Sequence, residues 1–488
     1  MDWVFVLEAV VVLACIVMGT RTGGVGVGLW GGLGVGVLVF VFGEAPGEPP
    51  GAAMLIILAV VTAASMMQAA GGIDWMVGVA ARIIASHPKQ ITLIAPLTAF
   101  LFSVGSGTGN ILYPLLPVIY DVSYRNGIRP SRPLTVTVVQ SGMALAASPV
   151  SAAMAAMLTL TDVEPFNFSL PQILSVTIPA CVAGIVVTAL VMNRVGKELD
   201  DDPEIQARIA SGALAPRESL AATAGAVSGG TTTAQATVAS GASADAAAGS
   251  SSGGTTTTTA TAAPPTVPEA TSRGRNSALA FLAGVIAIVI LGLFPDLRPS
   301  FTVDGETSTI DMTTTIVIVM FATSIAILLL GRPKVQEVPD QSVFKAGMVA
   351  AIALFGIAWL TATFIAAHQT LIVDTIGGWV NDYVAIFALA VFLVAALTTS
   401  QSTATRTIVP IGLAAGLAPG LVTGLWAGSL NGVYTLPANG TQIAAVNFDA
   451  TGSTKLGTKL LDHSFLLPTI IMTVTSVAVG AAIGTIFY

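Results

Sequence analysis

Again and again this chain runs for the length of a bilayer-crossing helix without meeting a charge. Residues 52–70, 170–193, 277–294, 313–331 and 464–487 contain no Asp, Glu, Lys or Arg, and 344–366 holds only Lys345. A helix of about 20 apolar residues crosses the hydrocarbon core. In lipid every backbone N–H and C=O needs a partner within the protein, which an apolar helix supplies by itself. Of the 488 residues only 9% are charged, too few to clothe a water-soluble surface of that size. The expected fold class is an all-α polytopic membrane protein. The first run, Trp3–Met18, has Asp2 where a signal peptide carries basic residues, so it is expected as a retained helix. Cys15 and Cys181 fall in apolar runs and read as packing residues rather than a disulfide or metal pair.

Two stretches break this pattern in the same way. In Ser103–Pro117, SVGSGTGNILYPLLP, the apolar runs Ile91–Phe102 and Ile111–Ile119 are each too short to cross. Gly105, Ser106, Gly107, Thr108, Gly109 and Asn110 lie between them and favour a turn over a helix. In Leu397–Pro410, LTTSQSTATRTIVP, short apolar runs again flank a polar tip, Thr398 to Thr403. Each reads as a helical hairpin that enters the membrane, turns, and leaves on the same side. Irregular backbone at membrane depth is tolerated only inside protein or beside a cavity, so the tips mark a site for something small and polar. Downstream of each hairpin an apolar segment is interrupted, at Ser148-Pro149-Val150-Ser151 and at Leu436-Pro437-Ala438-Asn439-Gly440-Thr441. Paired broken segments in two halves point to a transporter's substrate site.

The first half is therefore read as residues 1–196, with spans 3–19, 23–42, 52–70, 134–158 and 170–193 and a re-entrant hairpin near 91–122. The second is 277–488, with spans 277–294, 313–331, 344–366, 420–447 and 464–487 and a hairpin near 384–417. Segments 73–86 and 368–382 mix charged and apolar residues and are expected along the membrane surface. With the N-terminus outside, all 19 Lys and Arg residues except Arg298 and Arg406 fall inside. Both termini are then outside and the halves form an inverted repeat of five spans and one hairpin each. Glycines 24, 28, 32 and 36 read as a stripe for close helix packing rather than a phosphate loop. Between the halves, 197–276 is expected as a cytoplasmic linker, flexible where Ala, Thr, Ser and Gly dominate. Asp200-Asp201-Asp202 reads as a solvated run or a helix cap.

The tips carry the chemistry. Helix starts at Ile111–Tyr120 and Thr403–Leu413 offer backbone N–H groups and partial positive charge to an anion. Hydroxyls of Thr108, Ser400, Ser402 and Thr403 and amides of Asn110 and Gln401, with Gly109 between, suit a carboxylate. Ser148, Pro149 and Pro437 at the broken segments join the candidate substrate site. Tip oxygens at Gly107, Asn110 and Ser400 are candidates for sodium; proton coupling is the alternative, and no other cofactor is expected. Arg406 reads as a counter-charge for substrate, a snorkelling cation or a partner of Asp382. An enzyme is not expected. His87, His368 and His463 are not placed beside Ser106 or Ser402, and no HExxH or CxxC occurs.

A family resemblance rests on Gly23-Gly24 with the glycine stripe, Gln68-Ala69-Ala70-Gly71-Gly72-Ile73-Asp74, Gly107-Thr108-Gly109-Asn110 and Leu116-Pro117-Val118-Ile119. It continues through Arg129-Pro130-Ser131-Arg132-Pro133, Ala147-Ser148-Pro149-Val150-Ser151, Phe344-Lys345-Ala346-Gly347-Met348, Gly356-Ile357-Ala358-Trp359 and Ser400-Gln401, with Asp462-His463-Ser464-Phe465 a weaker match. With these the chain resembles the bacterial anaerobic four-carbon dicarboxylate uptake (Dcu) transporters. The resemblance implies a multi-pass inner-membrane carrier of fumarate, succinate, malate and aspartate, often an antiporter, serving anaerobic respiration. It also implies membership of the ion transporter superfamily, with a transport part moving against a scaffold. The expected partners are the dicarboxylate, the lipid bilayer, a further copy of the chain and a sensor kinase, with no nucleic acid. Alternatives are a carrier of another small organic anion or a dicarboxylate-binding co-sensor. Pro437-Ala438-Asn439-Gly440 departs from the family's usual Pro-Thr-Tyr-Pro, and the long linker is unusual for it.

Overall fold

The computed structural model describes residues 3–22, 24–217, 271–303, 306–371, 384–436, 439–457 and 462–488. Nearly all regular structure is helical. In the first half run α1 Trp3–Thr22, α2 Gly26–Val37, α3 Gly51–Ala69, α4 Gly72–Ser86, α5 Ile91–Ser106, α6 Leu116–Arg125, α7 Ser131–Ala144, α8 Ala152–Thr161 and α9 Leu170–Met192. A short α10, Pro203–Ala210, follows. The second half has α11 Ser272–Leu293, α12 Met312–Gly331, α13 Ser342–Leu371, α14 Ala385–Thr398, α15 Gln401–Ala414, α16 Pro419–Ser429, α17 Gly440–Phe448 and α18 Leu466–Ile486. Two strands, β1 Ser300–Val303 and β2 Glu306–Thr309, pair antiparallel between α11 and α12, with Ser300 opposite Thr309. Among the described residues, 7 helical stretches are long and apolar enough to cross a membrane.

The interruptions fall where the polar residues are. At 14 residues, α14 is about 21 Å long, short of a hydrocarbon core of about 30 Å. The stretch Ser131–Thr161 is long enough by hydropathy but is two helices, α7 and α8, parted by the Ser148-Pro149-Val150-Ser151 break. The span expected over 420–447 likewise splits into α16 and α17, and a 3₁₀ turn at Leu430–Tyr434 ends the first of them. Residues 437–438 of that second break lie outside the described residues.

By their packing the helices form two groups. In one, α13 packs on α2 and α3, and α3 on α12, which packs on α11. In the other, α18 packs on α9 and α16, α5 on α7, and α14 on α15. The groups meet chiefly where α15 and α8 lie against α13 and α3. Glycines set the tightest contacts. A Cβ on Gly31 would overlap the backbone of Gly356, and one on Gly28 the backbone of Ile352. Gly32 and Gly36, expected in the same stripe, face open space. The packing face runs through 28, 31 and 34, because 3.6 residues per turn carries an every-fourth-residue pattern off the contact line.

Two surface expectations are partly covered. Helix α4 packs against α5 and α11. Of 368–382, His368 stands at a kink with φ −121°, while 372–383 lie outside the described residues. Within the stretch expected as a linker, 197–217 is folded. Arg129 bonds Asp202 at 2.6 Å and Arg132 bonds Glu198 at 2.8 Å. Leu199, Ile205 and Leu214 bury against Tyr124. Asp202 caps α10, accepting from the Glu204 N–H at 3.0 Å, and the hydrogen bond from Arg129 holds its carboxyl below the usual carboxylate range. Residues 218–270 lie outside the described residues.

Candidate functional site

The two polar tips turn by the same device. Helix α5 ends at Ser106, and Gly107 then takes a left-handed backbone with φ +70°. Helix α14 ends at Thr398, and Thr399 takes φ +48°. The Ser106 hydroxyl donates back to the Ser103 carbonyl at 3.4 Å and forward to that of Thr108 at 3.3 Å. The Thr398 hydroxyl donates back to Val394 at 2.7 Å and forward to Ser400 at 3.3 Å. A hydroxyl that bonds across the αL residue closes the turn and satisfies carbonyls at the helix end.

Beyond the turns the tips differ. At the second, α15 starts directly, capped by Ser400, whose hydroxyl oxygen accepts from the Thr403 N–H at 3.2 Å. At the first, Gly109–Leu112 form a 3₁₀ turn and α6 begins only at Leu116. The helix start expected at Ile111 is therefore displaced, because Tyr113-Pro114 and Pro117 keep the chain from entering an α-helix there.

Around the tips lies a cavity of 430 Å³ between the two helix groups. One wall is polar and irregular: Ser106–Gly109 and Thr399–Ser402 from the tips, with Ser151 and Asn439 from the breaks. The opposite wall is apolar, formed by Ile56, Ile57, Val60, Val61 and Ala64 of α3 and Val343, Ala346, Gly347 and Ala350 of α13. No Asp, Glu, Lys, Arg or His is among the described lining residues. What the polar wall offers instead is helix N-termini. Ser151 caps α8, accepting from the Met154 N–H at 3.0 Å; Ser400 caps α15; Asn439 caps α17 in a reciprocal box with Gln442. Three helices thus begin at this wall, and their free N–H groups and dipoles make a neutral cavity attractive to an anion.

The structure brings Gly107, Thr108, Gly109, Ser400, Gln401 and Ser402 together at this cavity. The backbone of Asn110 sits in the first tip's turn, while its side chain lies outside the described residues, as does Pro437. Ser148 and Pro149 are buried behind the wall. The Ser148 hydroxyl donates to the Val104 carbonyl at 2.7 Å, which ties the first break to α5. Thr403 is 2% exposed, with its hydroxyl on Ser400 at 2.9 Å. Arg406 is not in this cavity, and at 3% exposure it does not snorkel. Asp382, its other expected partner, lies outside the described residues.

Sequence reasoning placed Ser151, Asn439 and Thr441 in the broken segments without naming them as site residues, and did not single out Ser141, Tyr434 or Tyr113. Asn439 and Gln442 carry the three-residue spacing of a capping box, a readable signal. Ser141 and Tyr434 carry none. They meet from opposite halves of the chain, with hydroxyls 2.5 Å apart, and only the fold brings them together.

Helices of bilayer length, broken by polar turns that converge on one internal cavity, define a multi-pass membrane transporter. Residues 4–488 match the family described as anaerobic C4-dicarboxylate membrane transporter, and the chain belongs to that family. It is 31% identical over 487 residues to the anaerobic C4-dicarboxylate transporter DcuB of Escherichia coli O157:H7, covering 99% of this chain and 98% of that one. To the C4-dicarboxylate transporter DcuA of Helicobacter pylori 26695 it is 31% identical over 488 residues, covering 98% of each. Among solved structures, the Alcanivorax borkumensis YdaH transporter overlays at TM-score 0.49 and 14% identity, covering 88% of this chain and 84% of that one.

Proposed function

We propose that this chain carries four-carbon dicarboxylates such as fumarate, succinate, malate and aspartate across the bacterial inner membrane, by uptake or exchange. The relatives' names supply the substrate class. The observation that carries the reading is the cavity itself: uncharged, with three helix N-termini at one wall and an apolar surface opposite. A dianion needs donors at both ends, and the two tips supply them from two directions.

The matched left-handed turns and matched broken segments support an inverted repeat of 1–196 and 277–488, each with a re-entrant hairpin. In this reading α1–α3 and α11–α13 are the scaffold and α5–α9 with α14–α18 the moving part. The apolar wall of α3 and α13 offers the tips no polar contact to break on sliding past, which favours an elevator-like alternation of access. Sodium, the coupling ion expected at Gly107, Asn110 and Ser400, would take the oxygen ligands that tip carbonyls supply; proton coupling is the alternative. The test is counterflow. Proteoliposomes loaded with unlabelled succinate should accumulate labelled succinate with saturable kinetics. Succinate binding without counterflow would leave a sensor, not a carrier.

A further inference from the structure

Arg406 sits about 6 Å beyond Ser402 on α15, one helical turn deeper along the same face. There it lines a second cavity, of 90 Å³. Four of the helices that line the main cavity line this one too, through other residues: Ala53 of α3, Ala156 and Thr159 of α8, Leu354 and Ala358 of α13, Arg406 and Pro410 of α15. The second cavity therefore continues the same seam between the two helix groups.

Its chemistry is unlike the first. Arg406 is the one charged residue among its described lining, and its Nε and Nη2 make no hydrogen bond. The Thr159 hydroxyl is turned to its own helix, donating to Ala155 and Ala156 carbonyls at 3.1 and 3.0 Å. A guanidinium buried without a partner costs several kcal/mol, and such charges inside membrane segments face a cavity or a partner. No carboxylate pairs with it among the described residues. We propose that the Arg406 cavity is a second anion site, holding a single small negative group against the guanidinium: a free halide or one carboxylate. A carboxylate would dock in the bidentate manner that the guanidinium fork favours. The cavity is too small for the whole 430 Å³ occupant space of the tips, so it takes one charged end or one ion. This proposal stands on the orphaned guanidinium and does not need the transport reading.

The experiment uses the full chain in detergent at constant ionic strength. Its first arm needs no substitution: crystals grown with bromide in place of chloride, read for anomalous density. A bromide peak at hydrogen-bonding distance from the Arg406 guanidinium is the expected result for a free halide. The second arm is thermal melting of wild type, Arg406→Met and Gln401→Ala. Bromide should raise the midpoint of wild type and Gln401→Ala, with the dependence lost in Arg406→Met. If the source is the substrate's own carboxylate, bromide does nothing, and succinate stabilises wild type but neither variant. The proposal is overturned if no anomalous peak appears and Arg406→Met responds to bromide and succinate as wild type does. Succinate stabilisation that depends on Gln401 alone would then leave the tip site intact without the second one. Should Arg406→Met not fold, Arg406→Lys replaces it in both titrations, with weakened rather than absent dependence expected.

Discussion

Thr399 and Gly107 occupy the same place in matching turns, yet only one is the residue such a turn prefers. A left-handed backbone costs a residue with a Cβ roughly 1–2 kcal/mol, and glycine escapes that cost. Thr399→Gly should therefore leave the melting midpoint at or above wild type. Gly107→Ala should lower it and weaken succinate binding, because an added Cβ would lie 2.7 Å from the Val150 carbonyl oxygen as well as at φ +70°. Thermal melting and calorimetry on the two variants check this; an unaffected Gly107→Ala would mean that the first tip does not rest on the Val150 break. At this scale the sequence was half legible. Tip residues were readable from polar side chains amid apolar runs. The Tyr434–Ser141 contact, joining residues nearly 300 apart with 2.5 Å between hydroxyls, has no local signal.

Elements explain why the tips can be where they are. Short helices α5 and α14 stop at polar turns, and the broken pairs α7–α8 and α16–α17 bring new N-termini level with them. Hydropathy alone shows the apolar runs; it cannot show that 131–161 is two helices, because a break at four residues barely changes the average. The proline and serines at 148–151 do show it. The glycine stripe illustrates the opposite case. Its composition predicted a close helix contact, but its phase had to come from the partner. Gly31→Leu should separate α2 from α13 and sharply lower the yield of folded protein. Gly32→Leu, facing open space, should melt within a few degrees of wild type. Size-exclusion profiles and melting midpoints of the two variants give the comparison, and equal damage from both would contradict this packing.

For the whole molecule, the asymmetry of basic residues fixes an expected orientation, and exposed positions on the structure allow it to be tested. The native Cys15 and Cys181 are buried and should stay unlabelled. A single cysteine at Ser86, the last residue of α4, should react with a membrane-impermeant thiol reagent only from the cytoplasmic side, and one at Ser308, in β2, only from outside. Reaction of both from the same face would remove the inverted repeat. The proposal that the two tips build one dicarboxylate site is tested by succinate calorimetry on Thr108→Ala and Gln401→Ala, one from each tip. Hydrogen bonds to charged groups contribute about 1.5–3 kcal/mol, so each variant should bind roughly ten- to a hundredfold more weakly at unchanged melting midpoint. If one tip tolerates its alanine with wild-type affinity while the other does not, the shared site is wrong, and the tolerant hairpin serves as a gate.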